Sequence, residues 1–482
     1  MIKSIEFKNF RNLNGKYEFT KIVNVIIGKN NSGKTNLLEG IKLAFSAITN
    51  EYFKISISDF KDSDDTNIIE INVELEYNSI ASLNYPDLDN SSKCGFKVII
   101  RKSQSGRYIR EIFHLNGSNI DIDILREDKN IPNLYFIPLI RIEDIFSAGL
   151  TTGISKFINS EEKYKELKND SKKAIEKELK DKKEQFQMLC SKFDEKIDIQ
   201  LTDPKFLNEK LYIVDGEKEH NFNIGSGYRS IANIMLNTLD EKFNIILIDE
   251  IENHLHPALI RTLIRELRNV QNTIIITTTH SPVVINELTM EEIIDISGKK
   301  INSIKNKEIL EKLEVFLHPG RNELVLADNI ILVEGYTEEL LLKNYLKEVN
   351  NNWTIINVTG TMFEPYIHLA CLLNKRVIVI SDNDKMLSET KETSTRFKNL
   401  KELCTEKKIK LIEVENTLET DLYNNGYLEN CKDLLKTHEK HLDYYISKEK
   451  KKIEIVERLI MQKTNLEDWH VIKEIKNEFS NH

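Results

Sequence analysis

The sequence predicts an α/β protein of two domains, each built on parallel strands with helices on both faces. Two separate series of short apolar strands alternating with helical stretches predict this, together with a charged helical interval inside the first series. A turn-like HPGRN separates the series, and the expected domains are 1–320 and 321–482. A length of 482 residues is enough for more than one sizeable core. Hydrophobic residues at 40% exclude wholesale disorder. No run approaches the ~18 apolar residues of a membrane span. The opening MIKSIEFKNF has no apolar signal core, so a cytoplasmic protein without a membrane partner is expected. Five scattered cysteines with no CxxC pair argue against a disulfide framework or a structural zinc site. The net charge of −9, taken alone, argues against nucleic-acid binding.

Residues 1–50 read as strand, strand, glycine loop and helix: IKSIEFKNF alternates, VNVIIG is an apolar run, and TNLLEGIKLAF has helical periodicity. Strand-like runs follow over 68–140 (IIEINVELEY, FKVIIRK, REIFHLNG). From 155 to 200 the pattern is helical and highly charged, with twelve Lys against eleven Asp or Glu. Near-balance suits a solvated helical arm, which could also serve in dimerisation. Buried-type strands NIILID and TIIITTT lie within 211–300. The second series runs NIILVEG, helix, WTIINVTG, helix, RVIVISD, helix, KLIEVE.

Gly28 to Thr35 reads GKNNSGKT and fits GxxxxGK[ST] between an apolar strand and a helix, the context a phosphate-binding loop needs. Backbone N–H groups of Asn30, Asn31, Ser32 and Gly33, with Asn36 just beyond, would cradle phosphates at the helix N-terminus. Lys34 would neutralise the β- and γ-phosphates of ATP, and Thr35 would ligate Mg²⁺. NIILIDE carries Asp249 for the Mg²⁺ shell and Glu250 to polarise the attacking water. His280 follows another strand end and is assigned as a γ-phosphate sensor. ENHLHP, with Glu252, His254 and His256, reads as an acidic helix start, a metal-binding HxH pair or a subunit-contact loop, and the last is preferred. Ser226 and Gly227 lie in a small-residue turn that opens a helix, either an anion site or an ordinary N-cap.

In this order FKNFRNLNG, GKNNSGKTN, GSG, IDEIENHLHP and TTTHSP resemble the ABC-type ATPases of the SMC and RecF-like group over roughly residues 1–300. The resemblance implies that Ser226 and Gly227 complete the site of a second subunit, with ATP bridging a homodimer. The glutamine loop of that group is not evident. YFIPLIR occupies its place, and Arg141 is a candidate substitute.

The second series carries Glu334 at a strand end and Glu338 four residues on, then Asp382 and Asp384 in VIVISDNDK. An i, i+2 pair on an extended strand end points to one side. Clustered carboxylates raise each other's pKa unless a cation joins them, and Mg²⁺ or Mn²⁺ prefers such oxygen ligands. The E…DxD pattern resembles the Toprim domain. An ABC-type ATPase followed directly by Toprim, with the junction LHPGRNELVLADNIILVEGYTEE, resembles the OLD-family (overcoming-lysogenisation-defect) endonucleases over nearly the whole chain. That resemblance implies Glu419 and Asp421 of ENTLETDL as further metal ligands and a lysine near the end of Toprim, for which Lys463 is the candidate.

The expected function is an ATP-binding, metal-dependent DNA endonuclease. Glu334, Asp382 and Asp384 would share one ion, with Glu338 and Glu419 helping a second. Nucleotide would gate cutting through dimer geometry, with a role in antiphage defence beside a helicase, retron components or another neighbour. A DNA-repair or chromosome-structuring ATPase, and a non-catalytic scaffold, are the alternatives. Basic excess flanks the acidic motif: eight Lys or Arg against four Glu over 385–410, and nine against six acids over 432–463. These are either solvated helix faces or a local track for phosphates.

Overall fold

Strand β1 (Ile2–Phe10) buries Ile2, Ser4, Ile5, Phe7 and Phe10, and β4 (Ile69–Leu75) buries strictly alternate residues, as IEINVEL demands of a strand with one face on a core. In the computed structural model these strands join β2 (Leu13–Glu18), β5 (Cys94–Lys102) and β6 (Tyr108–His114) in an antiparallel sheet ordered β2-β1-β4-β5-β6. The runs IIEINVELEY, FKVIIRK and REIFHLNG thus fall in an antiparallel sheet rather than extending the parallel series. The structure describes residues 1–29, 31–49, 53–76, 94–120, 134–137, 180, 184–185, 187–188, 192, 197–201, 211–215, 226–239, 244–297, 323–346, 353–360, 362–384, 393–431 and 449–480. The proposed arm at 155–200 falls almost wholly outside these residues, as do Asn30 and Arg141. The chain divides into two compact units, Met1–Lys300 and Ile301–His482.

A second sheet of the first unit is parallel, in the order β12-β3-β11-β10-β7, from β3 (Val23–Ile27), β7 (Leu134–Ile137), β10 (Ile245–Ile248), β11 (Ile274–Thr278) and β12 (Ile293–Asp295). Strands β3, β10 and β11 are buried at every position, matching their largely apolar sequences. Helix α1 (Lys34–Thr49) shares one core with both sheets: Leu37, Ile41 and Phe45 lie in the same cluster as Phe7 and Phe96 of one sheet and Ile26, Leu247 and Ile276 of the other. Short strands β8 (Ile197–Leu201) and β9 (Leu211–Asp215) form an antiparallel ribbon, and helices α2 (Ser226–Leu239), α3 (Pro257–Leu267) and α4 (Pro282–Asn286) complete the described part.

The second unit opens with α5 (Glu323–Leu326) and holds a parallel sheet ordered β14-β13-β15-β16. Its strands are β13 (Asn329–Val333), β14 (Trp353–Asn357), β15 (Arg376–Asp382) and β16 (Lys410–Val414), connected by α6 (Tyr336–Tyr345), α7 (Phe363–Leu372) and α8 (Thr395–Lys407). Then come α9 (Leu418–Asn424), α10 (Glu449–Met461) and α11 (His470–Ser480), which bury Val456, Leu459, Trp469 and Ile472 in a cluster with Ile331, Ile378 and Leu342. No helix among the described residues is long and apolar enough to cross a membrane.

Candidate functional sites

In the first unit, β3, β11 and β10 are adjacent and parallel, so the segments after them share one sheet edge. The loop after β3 leads directly into α1 at Lys34, which is 5% exposed. Its Nζ donates to the carbonyls of Gly28 at 2.9 Å and Lys29 at 2.7 Å. Burial holds the Lys34 ammonium below its ordinary pKa, opposed by Glu250, Asp249 and Glu252. Gly33 has φ +105°, and a Cβ there would stand 2.5 Å from Asn12 Oδ1. Asn12 explains the need: its Nδ2 donates to the Ser32 carbonyl at 2.8 Å, and its Oδ1 accepts from Asn36 Nδ2 at 2.9 Å. The hairpin turn between β1 and β2 thus clamps the glycine loop, while the next residue back, Arg11, ties Asn36, Glu39 and Asp59 together. Ser32 Oγ is buried without a hydrogen-bond partner. An unpartnered hydroxyl in a glycine loop at a helix N-terminus fits a phosphate oxygen.

Asp249 follows β10 and accepts from Thr35 Oγ1 at 3.2–3.3 Å. That pairing is the one a shared Mg²⁺ shell requires. His280 Nε2 lies 3.9 Å from Glu250 Oε1. Burial first, then Lys34, lowers the His280 pKa, against Glu250, Glu252 and Asp249. His256 caps α3, its ring nitrogen accepting from the Ala258 N–H at 3.3 Å. His256 thus serves as the N-cap of that helix. A Cβ at Gly227 would stand 2.7 Å from the His254 carbonyl, so the start of α2 packs against that same loop within the chain.

In the second unit Glu334 follows β13, beside the end of β15. Its Oε1 accepts from Ser381 Oγ at 2.6 Å, the Asp382 N–H at 3.0 Å and Arg396 Nη2 at 3.0 Å. Arg396 also donates to Asp384 Oδ2 at 2.9 Å. Strand β15 ends at Asp382, and Asp384 has φ +50°. The pair does not therefore point to one side as an extended strand end would. Asp382 turns inward at 8% exposure, and Asp384 turns to Arg396. Burial raises the Asp382 carboxyl well above its ordinary range, and Glu334, Glu338 and Glu419 add to it. Glu334 is raised for the same first reason, against Arg396.

Glu419 and Asp421 sit two apart on α9, about 200° apart around a helix, so they face different partners. Glu419 is 0% exposed, and neither of its oxygens accepts a hydrogen bond. Lys452 Nζ lies 3.4 Å from Oε2. Burial raises the Glu419 pKa, and Lys452 opposes it. Burial would lower Lys452, but Glu419, Asp382 and Glu338 outweigh it and raise its pKa. Asp421 instead accepts from the indole N–H of Trp469 at 2.5 Å, with His470 Nδ1 at 3.7 Å, so its carboxylate anchors the start of α11. Lys463 is exposed with φ +50° just past α10. In these placements Lys452, not Lys463, stands beside the carboxylates, and Asp421 accepts the Trp469 N–H. The cause is helical phase. Lys452 lies on the face of α10 that buries Ile455, Val456 and Leu459, and Lys463 lies beyond the helix.

Among the described residues no three acidic, histidine or cysteine side chains already converge on one point that would hold an ion. Two of the chain's own cations, Arg396 and Lys452, stand among the carboxylates. The buried oxygens of Glu419, of which Oε2 is paired with Lys452 and Oε1 has no hydrogen-bond partner, lie within the field of Asp382 and Glu338 and fit a hard divalent cation.

The AAA ATPase domain family matches residues 1–285, and the overcoming lysogenization defect protein-like TOPRIM domain family matches residues 325–384. "Endonuclease GajA" of Bacillus cereus (strain HuB5-5) is 24% identical over 551 residues, covering 83% of this chain and 79% of that protein. "Endonuclease GajA" of Bacillus cereus (strain VD045) is 24% identical over 452 residues, covering 79% and 74%. The Smc head domain of Pyrococcus furiosus, solved with an extended coiled coil bound to the C-terminal domain of ScpA, shows 14% identity and a TM-score of 0.44. It covers 65% of this chain and 99% of that one.

Proposed function

The chain belongs to the AAA ATPase domain family, and from that premise we propose that it is an ATP-gated, divalent-metal-dependent DNA endonuclease. The observation that carries this is the set of mutually interacting carboxylates Glu334, Glu338, Asp382 and Glu419, with Lys452 against Glu419, in a unit whose residues 325–384 match the TOPRIM family. Two relatives named as endonucleases support the same reading.

Glu334, Asp382 and Glu419 would hold Mg²⁺ or Mn²⁺, with Glu338 and Asp384 beside them. Bound there, two such ions supply Lewis-acid stabilisation of the attacking and leaving oxygens of a phosphodiester. The chain's own residues do the rest. Ser381 and the Asp382 N–H orient Glu334, and Arg396 holds Glu334 and Asp384 together. Lys452 offsets negative charge that grows on the phosphate.

In the first unit Lys34 and Ser32 bind the phosphates of ATP, Thr35 and Asp249 hold the Mg²⁺ shell, and Glu250 with His280 serves the γ-phosphate. Nucleotide gates cutting by favouring one arrangement of a homodimer over another, with Ser226 and Gly227 completing the partner subunit's site. A role in antiphage defence follows from the resemblance to the OLD family. Plasmid cleavage tests the reading: Mg²⁺ or Mn²⁺ should support nicking or cutting, EDTA should stop it, and Lys34→Ala should change its dependence on ATP. Identical ATP curves for wild type and Lys34→Ala remove gating. Absence of metal-dependent cleavage at any ATP concentration removes the nuclease.

A further inference from the structure

Three consecutive threonines, Thr277, Thr278 and Thr279, end β11 and follow it, and none is exposed. A strand buried on both faces is ordinarily apolar, and a buried hydroxyl is costly unless bonded. Two of these hydroxyls reach the neighbouring loop. Thr278 Oγ1 donates to Asp249 Oδ1 at 2.7 Å and accepts from the Glu250 N–H at 2.8 Å. Glu250 has φ +52°, a conformation disfavoured for a residue with a side chain. Thr278 therefore orients one carboxylate and helps hold the unusual backbone of the next. Thr279 Oγ1 donates to Glu252 Oε2 at 2.9 Å. The other oxygen of Glu252 accepts from the His280 N–H at 2.6 Å. Both oxygens of Glu252 thus serve the loop that carries His280, although Glu252 belongs to the ENHLHP segment.

We propose that Thr278 and Glu252 are positioning residues of the nucleotide site, joining Asp249, Glu250 and His280 into one unit through the threonines at the end of β11. Thr278 sets the carboxylate of the Mg²⁺ shell and the backbone of Glu250, and Glu252 sets His280. A shift of the ENHLHP segment is then transmitted directly to His280. The proposal rests on the nucleotide reading of this site.

The full chain is tested as Thr278→Val, which keeps the shape and loses the hydroxyl, and Thr278→Ser, which keeps the hydroxyl. A fluorescent ATP analogue is titrated in EDTA and in Mg²⁺, and ATP turnover and melting are measured beside it. Thr278→Val should keep its EDTA affinity within about twofold but lose about tenfold in the Mg²⁺-dependent gain and in kcat, the scale of one hydrogen bond to a charged group. Thr278→Ser should restore both. Glu252→Gln can accept from His280 and donate to Thr279, so it should keep most turnover, whereas Glu252→Ala should lose about tenfold in kcat with little change in KM. The Glu252 pair decides the matter should Thr278→Val fail to fold. An unaffected Thr278→Val, a valine loss equal in EDTA and Mg²⁺, or equal behaviour of Glu252→Gln and Glu252→Ala overturns the proposal alone. A wild-type chain that binds no nucleotide in either condition overturns the site reading and the proposal together.

Discussion

Replacing Lys452 by Met keeps most of its volume and removes the one cation within ion-pair distance of Glu419 among the described residues. Glu419 is 0% exposed, and Asp382 and Glu338 lie within its field. Removing one partner of a buried pair ordinarily costs about 3–5 kcal/mol. The Lys452 side chain retains 27% exposure, so water screens part of that, and about 2–3 kcal/mol is the expected loss at pH 8. At about 2–4 °C per kcal/mol for a domain of this size, the transition of the unit Ile301–His482 should fall by about 4–12 °C. The sign with pH follows from the direction of the shift. Glu419 titrates above its unfolded value, so the folded chain holds the extra proton between those two values and loses stability as pH rises through that window. Lys452→Met extends the window upward, and the deficit should shrink on going from pH 8 to pH 5. Mg²⁺ should restore more stability to the variant than to wild type, because the ion supplies the missing positive charge. Calorimetry at both pH values, with and without Mg²⁺, reads all of this. A variant that melts with wild type at pH 8 and ignores Mg²⁺ refutes the reasoning.

Two further outcomes separate packing from chemistry in the same unit. Asp421→Asn keeps an oxygen for the Trp469 N–H and should leave cleavage and metal affinity near wild type, while Asp421→Leu should cost about 1–3 kcal/mol in stability. A fall in metal affinity in Asp421→Asn matching that of Glu419→Gln would instead make it a ligand. Burial pushes the Cys404 thiol up to about 11, so iodoacetamide at pH 8 should leave it unmodified in the folded chain and label it after denaturation. Rapid labelling of the folded chain contradicts its placement.

The parallel sheets were legible because β3, β10, β11, β13 and β15 are dominated by apolar residues and end in polar loops, and such strands are buried on both faces. The antiparallel sheet was less legible, because pairing direction is not written in alternation. Lys34, Asp249, Glu250 and His280 came together because each follows a strand of one sheet at the same edge. Glu334 and Asp382 did so for the same reason. Lys452 was missed by counting lysines rather than phasing them: three and four residues before Ile455 and Val456 puts it on the buried face of α10. The different surroundings of Glu419 and Asp421 were not legible, because a motif in sequence takes no account of the turn between them. Arg396 carried no signal, since it lies twelve residues beyond Asp384 across a loop and only the folded chain brings it to Glu334 and Asp384. The net charge does not show how the acids are distributed: several of them gather at the two candidate cation sites, where a bound metal would invert the local field.

The most direct test of the central claim is plasmid cleavage by wild type and Asp382→Ala at saturating Mg²⁺ and Mn²⁺, with matched melting curves for the two proteins. The account predicts metal-dependent cutting by wild type and none by Asp382→Ala. Cutting retained by a folded Asp382→Ala would contradict it.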